Sequence, residues 1–369
     1  MKKLFIVVGA IFVLPALLFF LLSQIFSGAD KVVVKKGKDL VKVYTHWETD
    51  PILGVPFQVQ SVQTPDYVAT LVRLPRESTS SEVILDTTQG VSNASRGAVL
   101  YIHGYNDYFF QKELAKKMDS AGYAFYAVDL HYFGRSYVPG MNRCFMRSVE
   151  DYFGEIDEAL AQIQRENPGM PITLITHSLG GLVASLYMES RPWQKEVSSL
   201  VLNSPFLDMN LNPVLEYVGM PVVAALGSIM PDFSMNTSMS TVYGQSLHKG
   251  EQGEWSFDTT LKSFVSPKQD LGWIRGVYKS QMHLQKGLSI DVPILVMHSG
   301  CSIRTREWQD SAHVCDMVLD IADIEKYGEA LGPSVTQVQI DGALHDVFLS
   351  RKDVREKAYK VLIEFLEVP

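Results

Sequence analysis

The stretch PITLITHSLGG, Pro171 to Gly181, carries apolar and β-branched residues into Thr176-His177-Ser178-Leu179-Gly180, with Gly181 following. A serine at a tight strand-to-helix turn has its hydroxyl pushed above the sheet, at the positive end of the helix. Small residues two before and two after the serine relieve crowding there. Gly180 fits; Thr176 stands where a glycine is usual. The competing structural reading is a serine that merely caps a helix, so its partners must decide.

A serine hydroxyl is a poor nucleophile until a histidine accepts its proton. The base is expected late, after the last strand, where VQIDGALHDVFLS supplies His345, with Gly342 for a tight turn. The acid belongs between Ser178 and His345, after the strand VPILVMHS. No carboxylate follows that strand at once, since the chain reads His298-Ser299-Gly300-Cys301-Ser302-Ile303. Downstream, CDMVLDIADIEKYG offers Asp316, Asp320 and Asp323. Asp316, before an apolar pair and a helix-like run, is the leading candidate, with Asp320 and Asp310 kept open. A Cys301–Cys315 bridge would pinch residues 300–315 and hold Asp316 near the strand end. Backbone N–H groups of Leu179 and Tyr105 are the candidate oxyanion donors.

These residues need a sheet to carry them. Val55–Val62 and Tyr67–Arg73 alternate and read as a hairpin. The runs AVLYIHG, YAFYAVDL, PITLITHS, VSSLVLNSP, VPILVMHS and SVTQVQIDG are strand-like. Helical patterns cover Tyr108–Ser120, Ser148–Asn167, Leu179–Glu189 and Arg355–Glu367. Strands that are apolar along both faces and alternate with helices mean a mostly parallel sheet covered on both sides. Active sites in such sheets sit at the carboxyl ends of strands, where His103, Asp129, His177-Ser178 and His298 fall. The segment 209–287 breaks the pattern and reads as a mainly helical cap. Its apolar residues Leu211, Val214, Leu215, Val218, Val222, Val223 and Leu226 line either an acyl tunnel or the cap's own core. The division is therefore 1–29, a first core part 30–208, the cap 209–287, and a second core part 288–369.

A chain of 369 residues, 46% hydrophobic, buries enough apolar surface to exclude disorder. The formal charge of −8 argues against a nucleic-acid partner. No CxxC or HExxH motif is present, so neither a metal nor a cofactor is expected. Lys2 and Lys3 precede an apolar run from Leu4 to Phe26, the pattern of a membrane-spanning anchor. The rival is a signal segment cleaved near Ser27-Gly28-Ala29. Either places the remainder outside the cytoplasm: membrane-anchored, or secreted or periplasmic after cleavage. Asn93-Ala94-Ser95 and Asn236-Thr237-Ser238 match the glycosylation acceptor pattern.

Taken in order, LYIHGYNDY, YAVDLHYFGRS, ITHSLGG, VPILVMHS and IDGALHDVFLS resemble an α/β-hydrolase of the serine aminopeptidase S33 or monoacylglycerol lipase-like (lysophospholipase-like) family. They cover most of Ala98–Pro369. The resemblance implies the α/β-hydrolase fold with an inserted cap and maps nucleophile, acid and base onto Ser178, Asp316 and His345. It gives DLHYFGRS a structural role at the mouth of the site. It implies hydrolysis of amphiphilic acyl esters of monoacylglycerol or lysophospholipid type, with no cofactor. An S33-type peptidase and a non-catalytic scaffold on the same fold are the alternatives.

Overall fold

Strands form where the sequence is apolar on both faces, and they assemble into one nine-stranded sheet. The computed structural model describes residues 38–76, 96–191, 195–235 and 240–367. In chain order the strands are β1 (Glu48–Thr49), β2 (Gln58–Gln63), β3 (Val68–Leu74), β4 (Gly97–Ile102), β5 (Tyr123–Asp129), β6 (Ile172–His177) and β7 (Val197–Asn203). Two short cap strands follow, β8 (Ser234–Met235) and β9 (Gln269–Asp270). The core closes with β10 (Ile294–Ser299) and β11 (Val335–Ile340). The sheet runs β1-β2-β3-β5-β4-β6-β7-β10-β11. The first three pairings along it are antiparallel, and β5 through β11 are parallel. With a helical cap inserted after β7, this is the α/β-hydrolase fold.

The central strands β4, β5 and β6 are buried at every position, as strands covered on both faces must be. One core layer holds Ile156, Leu160, Leu182, Val183 and Leu200. The other holds Phe109, Leu114, Leu295, Phe348 and Leu362. The helix read over Tyr108–Ser120 begins only at Lys112. Its first turn is lost because the Asp129 carboxylate takes the Phe109 N–H at 2.8 Å and the Gln111 side chain takes that of Phe110 at 3.0 Å. The pattern over Ser148–Asn167 resolves into a 3₁₀ turn, Val149–Tyr152, running into the α-helix Phe153–Glu166.

The cap contains a π turn Leu215–Gly219 and helices Met220–Ile229, Val242–Leu247 and Leu271–Leu284. Helices Met220–Ile229 and Leu271–Leu284 pack backbone to backbone at Gly227, where an added Cβ would lie 2.3 Å from the Leu271 carbonyl oxygen. That packing buries Val223 and turns Val214 and Val218 outward, each 56% exposed.

Among the described residues no helix is long and apolar enough to cross a membrane. Lys352–Glu367 has 16 residues and two faces, short of the ~20 apolar residues a bilayer requires. Within the described residues this corrects the expectation of a membrane anchor or signal segment, of a membrane partner and of placement outside the cytoplasm: none of them supplies such a segment. Residues 1–29, on which that expectation rested, lie outside the described residues, as do both glycosylation patterns.

Candidate active site

Ser178 is placed by backbone geometry first. It follows β6 directly and starts the helix Leu179–Ser190 with φ +52° and ψ −115°, a left-handed conformation rare for a side-chain-bearing residue. Backbone bonds hold it there. Its N–H donates to the Asn203 carbonyl at 3.0 Å, and its own carbonyl accepts from Gly181 and Phe206. The turn is tight enough that a Cβ on Gly180 would lie 2.6 Å from the Ile102 and His103 carbonyl oxygens. Thr176, the unusual residue of the turn, is fully buried and donates its hydroxyl to the Val201 carbonyl on β7 at 3.1 Å. Its polar atom is thus satisfied within the sheet.

His345 and Asp316 converge on this serine. His345 Nε2 lies 3.0 Å from Ser178 Oγ, and Nδ1 lies 2.8 Å from Asp316 Oδ2. All three residues are buried. The His345 loop follows β11 and turns at Gly342, φ +78°. It is clamped on several sides: Ser299 Oγ donates to the Ala343 carbonyl, Ser350 Oγ accepts the Leu344 N–H, and Asn203 Oδ1 accepts the Val347 N–H. Asp316 Oδ1 accepts the Val318 and Leu319 N–H groups at 2.7 and 2.8 Å, leaving Oδ2 for the imidazole. A Cys301–Cys315 disulfide closes the 302–314 excursion. Across its base the Asp316 N–H donates to the Cys301 carbonyl at 2.8 Å. Asp320 does something else: it caps the helix Ile321–Gly328, accepting the Ala322 N–H.

Leu179 and Tyr105 flank the serine. Leu179 is the first residue of the helix, where N–H groups lack intrahelical partners. Gly104 brings the β4 loop alongside: a Cβ there would sit 3.0 Å from Ser178 Cβ. His103 braces that loop. Its Nδ1–H donates to the Gly104 carbonyl at 2.8 Å, and Nε2 accepts the Leu130 N–H. Asp129 and Arg135 form a structural pair, with Arg135 also bridging to Asp50; all three side chains are buried.

The cavity at Ser178, about 80 Å³, is lined among others by Tyr243, Phe257, Lys262, Phe264, Met317 and Val318. None of the seven apolar cap residues read as either an acyl tunnel or the cap's own core lines it; Val223 is buried in the packing described above, and Val214 and Val218 face outward.

Sequence reasoning passed over a buried charged cluster behind the serine. Asp107, His177 and Asp346 bring one potential ligand atom each within 4.8 Å of one another. The cluster fits a cation poorly as a metal site, because a lysine already supplies the positive charge and both acids already hold partners, although Asp107 Oδ2 is buried without one. Lys262 Nζ sits 2.9 Å from Asp107 Oδ1. Asn203 Nδ2 donates to Asp346 Oδ1 at 2.7 Å, and the Phe348 N–H donates to the same oxygen. The available signals were the adjacency of Asp346 to His345 and the polar pair Asn203-Ser204 at the carboxyl end of β7.

Residues 93–350 match the family described as serine aminopeptidase, S33. This chain belongs to that family. S33 membership and the α/β-hydrolase fold make it a serine hydrolase of the esterase/lipase superfamily. A curated monoacylglycerol lipase of Mycolicibacterium smegmatis is 27% identical over 139 residues, which is 37% of this chain and 46% of the relative. The match thus spans about half of that lipase. Phospholipase YtpA of Bacillus subtilis is 24% identical over 212 residues, 55% of this chain and 74% of the relative. Among solved structures, a soluble variant of monoglyceride lipase from Saccharomyces cerevisiae superposes with a TM-score of 0.61 at 18% identity. It covers 88% of this chain and 98% of its own. At such identity the likeness is one of fold.

Proposed function

We propose that this S33 member hydrolyses carboxylic esters of amphiphilic acyl lipids, of monoacylglycerol or lysophospholipid type, through a covalent acyl-enzyme. The observation that carries the reading is the continuous relay from Ser178 Oγ through His345 to Asp316. The relatives named monoacylglycerol lipase and phospholipase favour acyl-lipid esters as the class.

In the proposed cycle His345 Nε2 takes the Ser178 proton as Oγ attacks the acyl carbon. Asp316 keeps the Nδ1–H tautomer and stabilises the imidazolium. Leu179 and Tyr105 N–H groups receive the oxyanion, each donor worth about 3 kcal/mol of barrier. The imidazolium then protonates the leaving alcohol. Water, deprotonated by the same nitrogen, releases the acid and restores Ser178. The acyl group lies against Tyr243, Phe257, Phe264, Met317 and Val318. We assign 209–287 as the cap that supplies much of this wall, between core parts 30–208 and 288–369.

The test is covalent labelling of the full-length chain by a fluorophosphonate, read by intact mass. Wild type is expected to label once, Ser178→Ala not at all, and Asp316→Asn about 10⁴-fold more slowly, as loss of the orienting acid does in such relays. A folded wild type that does not label sinks the hydrolase reading in favour of a scaffold. Faster cleavage of a peptide amide than of an ester with a matched leaving group transfers the site to the peptidase alternative.

A further inference from the structure

Tyr105 is shared between the Ser178 cavity and a second, larger one of about 320 Å³. Asn142, Arg143, Lys268, Asp270 and Trp273 are among the residues of its wall. Two donors of this wall are buried with nothing to donate to: Trp273 Nε1 and Asn142 Nδ2. An indole N–H is a donor only, so no rotation or tautomer satisfies it from within. Leaving such a group unpaired costs its full desolvation, and buried orphans of this kind call for a partner from outside the chain.

The charges point the same way. Arg143 spends its two terminal nitrogens on neutral acceptors, the Thr260 carbonyl and Ser263 Oγ, both at 2.6 Å. Among the described residues it has no carboxylate at ion-pair distance. The acid in the wall, Asp270, is engaged through one oxygen: Arg147 Nη1 lies 2.7 Å from its Oδ1, which also accepts the Trp273 backbone N–H at 2.7 Å. Lys268 also lines the wall. The wall therefore offers two unpartnered donors beside a guanidinium that no described carboxylate neutralises. The group that complements it is acceptor-only, anionic and carries several oxygens, as phosphate does.

We propose that this cavity is a phosphate subsite, serving the alcohol side of the ester. The assignment to one side follows from two differences: Tyr243, Phe257, Phe264, Met317 and Val318 stand at the Ser178 cavity, beside Lys262 and several polar residues, while this one carries Arg143 and the orphaned Trp273 and Asn142 donors. The proposal rests on the ester-hydrolase reading of Ser178 and narrows it to phosphate-bearing esters. The same phosphate chemistry is also present in the free anion, and the test separates the two sources.

Full-length wild type, Trp273→Phe and Asn142→Ala are titrated with inorganic phosphate by calorimetry. They are then compared on a lysophospholipid and a monoacylglycerol of the same acyl chain. Phosphate is expected to bind wild type and to bind each variant about tenfold more weakly, the loss of one hydrogen bond to a charged group. For a headgroup subsite the ratio of kcat/KM, lysophospholipid over monoacylglycerol, falls about tenfold in the variants. For a free-phosphate site the ratio holds, while added phosphate shifts the KM of both esters in wild type and not in the variants. Lys268→Gln, at an exposed position, gives the same readout should a buried variant fail to fold. No phosphate binding to wild type, or binding and ratio unchanged in every variant, overturns the proposal. Fluorophosphonate labelling of the same samples keeps the two readings apart. A chain that labels but ignores phosphate loses only the subsite; one that binds phosphate but never labels loses only the hydrolase.

Discussion

Burial holds the His177 imidazole neutral, its pKa pushed down to about 4. Desolvation is the largest cause; Asp346 and Asp107 pull the value up, and His345 and Lys262 push it further down. The unfolded chain therefore binds a proton at this site near pH 6.5 while the folded chain does so only near 4. Between those values the unfolded state holds more protons, so stability falls as pH drops through the window, by up to ~3 kcal/mol at its lower end. Urea unfolding at pH 7 and pH 4.5 checks this. His177→Gln, which can still donate to the Asn203 carbonyl, is expected to lose less between the two pH values than wild type. An equal loss in both would assign the acid sensitivity elsewhere.

At the scale of elements, the site depends on two close approaches. The elbow helix lies against the end of β4 at Gly180, where a methyl group would meet two carbonyl oxygens at 2.6 Å. Backbone does not yield as a flexible side chain does, so Gly180→Ala is expected to cost about 1–3 kcal/mol and to displace Ser178. Both a lowered urea midpoint and slowed labelling should follow. The second approach is the clasp at Asp316. Cys301 and Cys315 are separated by 14 residues, and closing a loop of that size restricts the unfolded chain by about 3 kcal/mol. Reduction is expected to lower the melting temperature and to slow turnover without abolishing it, because the Val318 and Leu319 N–H groups still orient the carboxylate. A melting curve with and without reductant, beside turnover in the same samples, decides this. Unchanged turnover would show that the backbone bonds suffice.

For the whole molecule, the cap and core are locked through charge. Lys262 descends from the cap to Asp107 at 2.9 Å, and both side chains are buried. Removing one member of such a pair leaves the other charge uncompensated, at a cost of about 3–5 kcal/mol. Lys262→Met is expected to lower the unfolding free energy by that order in urea titration. A change under 1 kcal/mol would mean that Asp107 takes up a proton or reaches water when its partner goes.

Much of this protein was legible along the chain because it depends on neighbours in sequence. Alternating apolar strands and helices, the glycines of the elbow, and a serine between them are local patterns, each following from backbone sterics and the period of burial. The late histidine and a downstream acid followed from chain order. Which acid faced the imidazole was decided in three dimensions: Asp316 has its second oxygen free for His345, whereas Asp320 is spent on a helix cap. The Lys262–Asp107 lock joins residues 155 positions apart, and the orphaned Trp273 and Asn142 donors meet in one wall from distant segments. Contacts of that separation leave no period or motif in the sequence. They arise when packed layers bring side chains together, and desolvation then fixes which polar groups find partners and which remain waiting for a ligand.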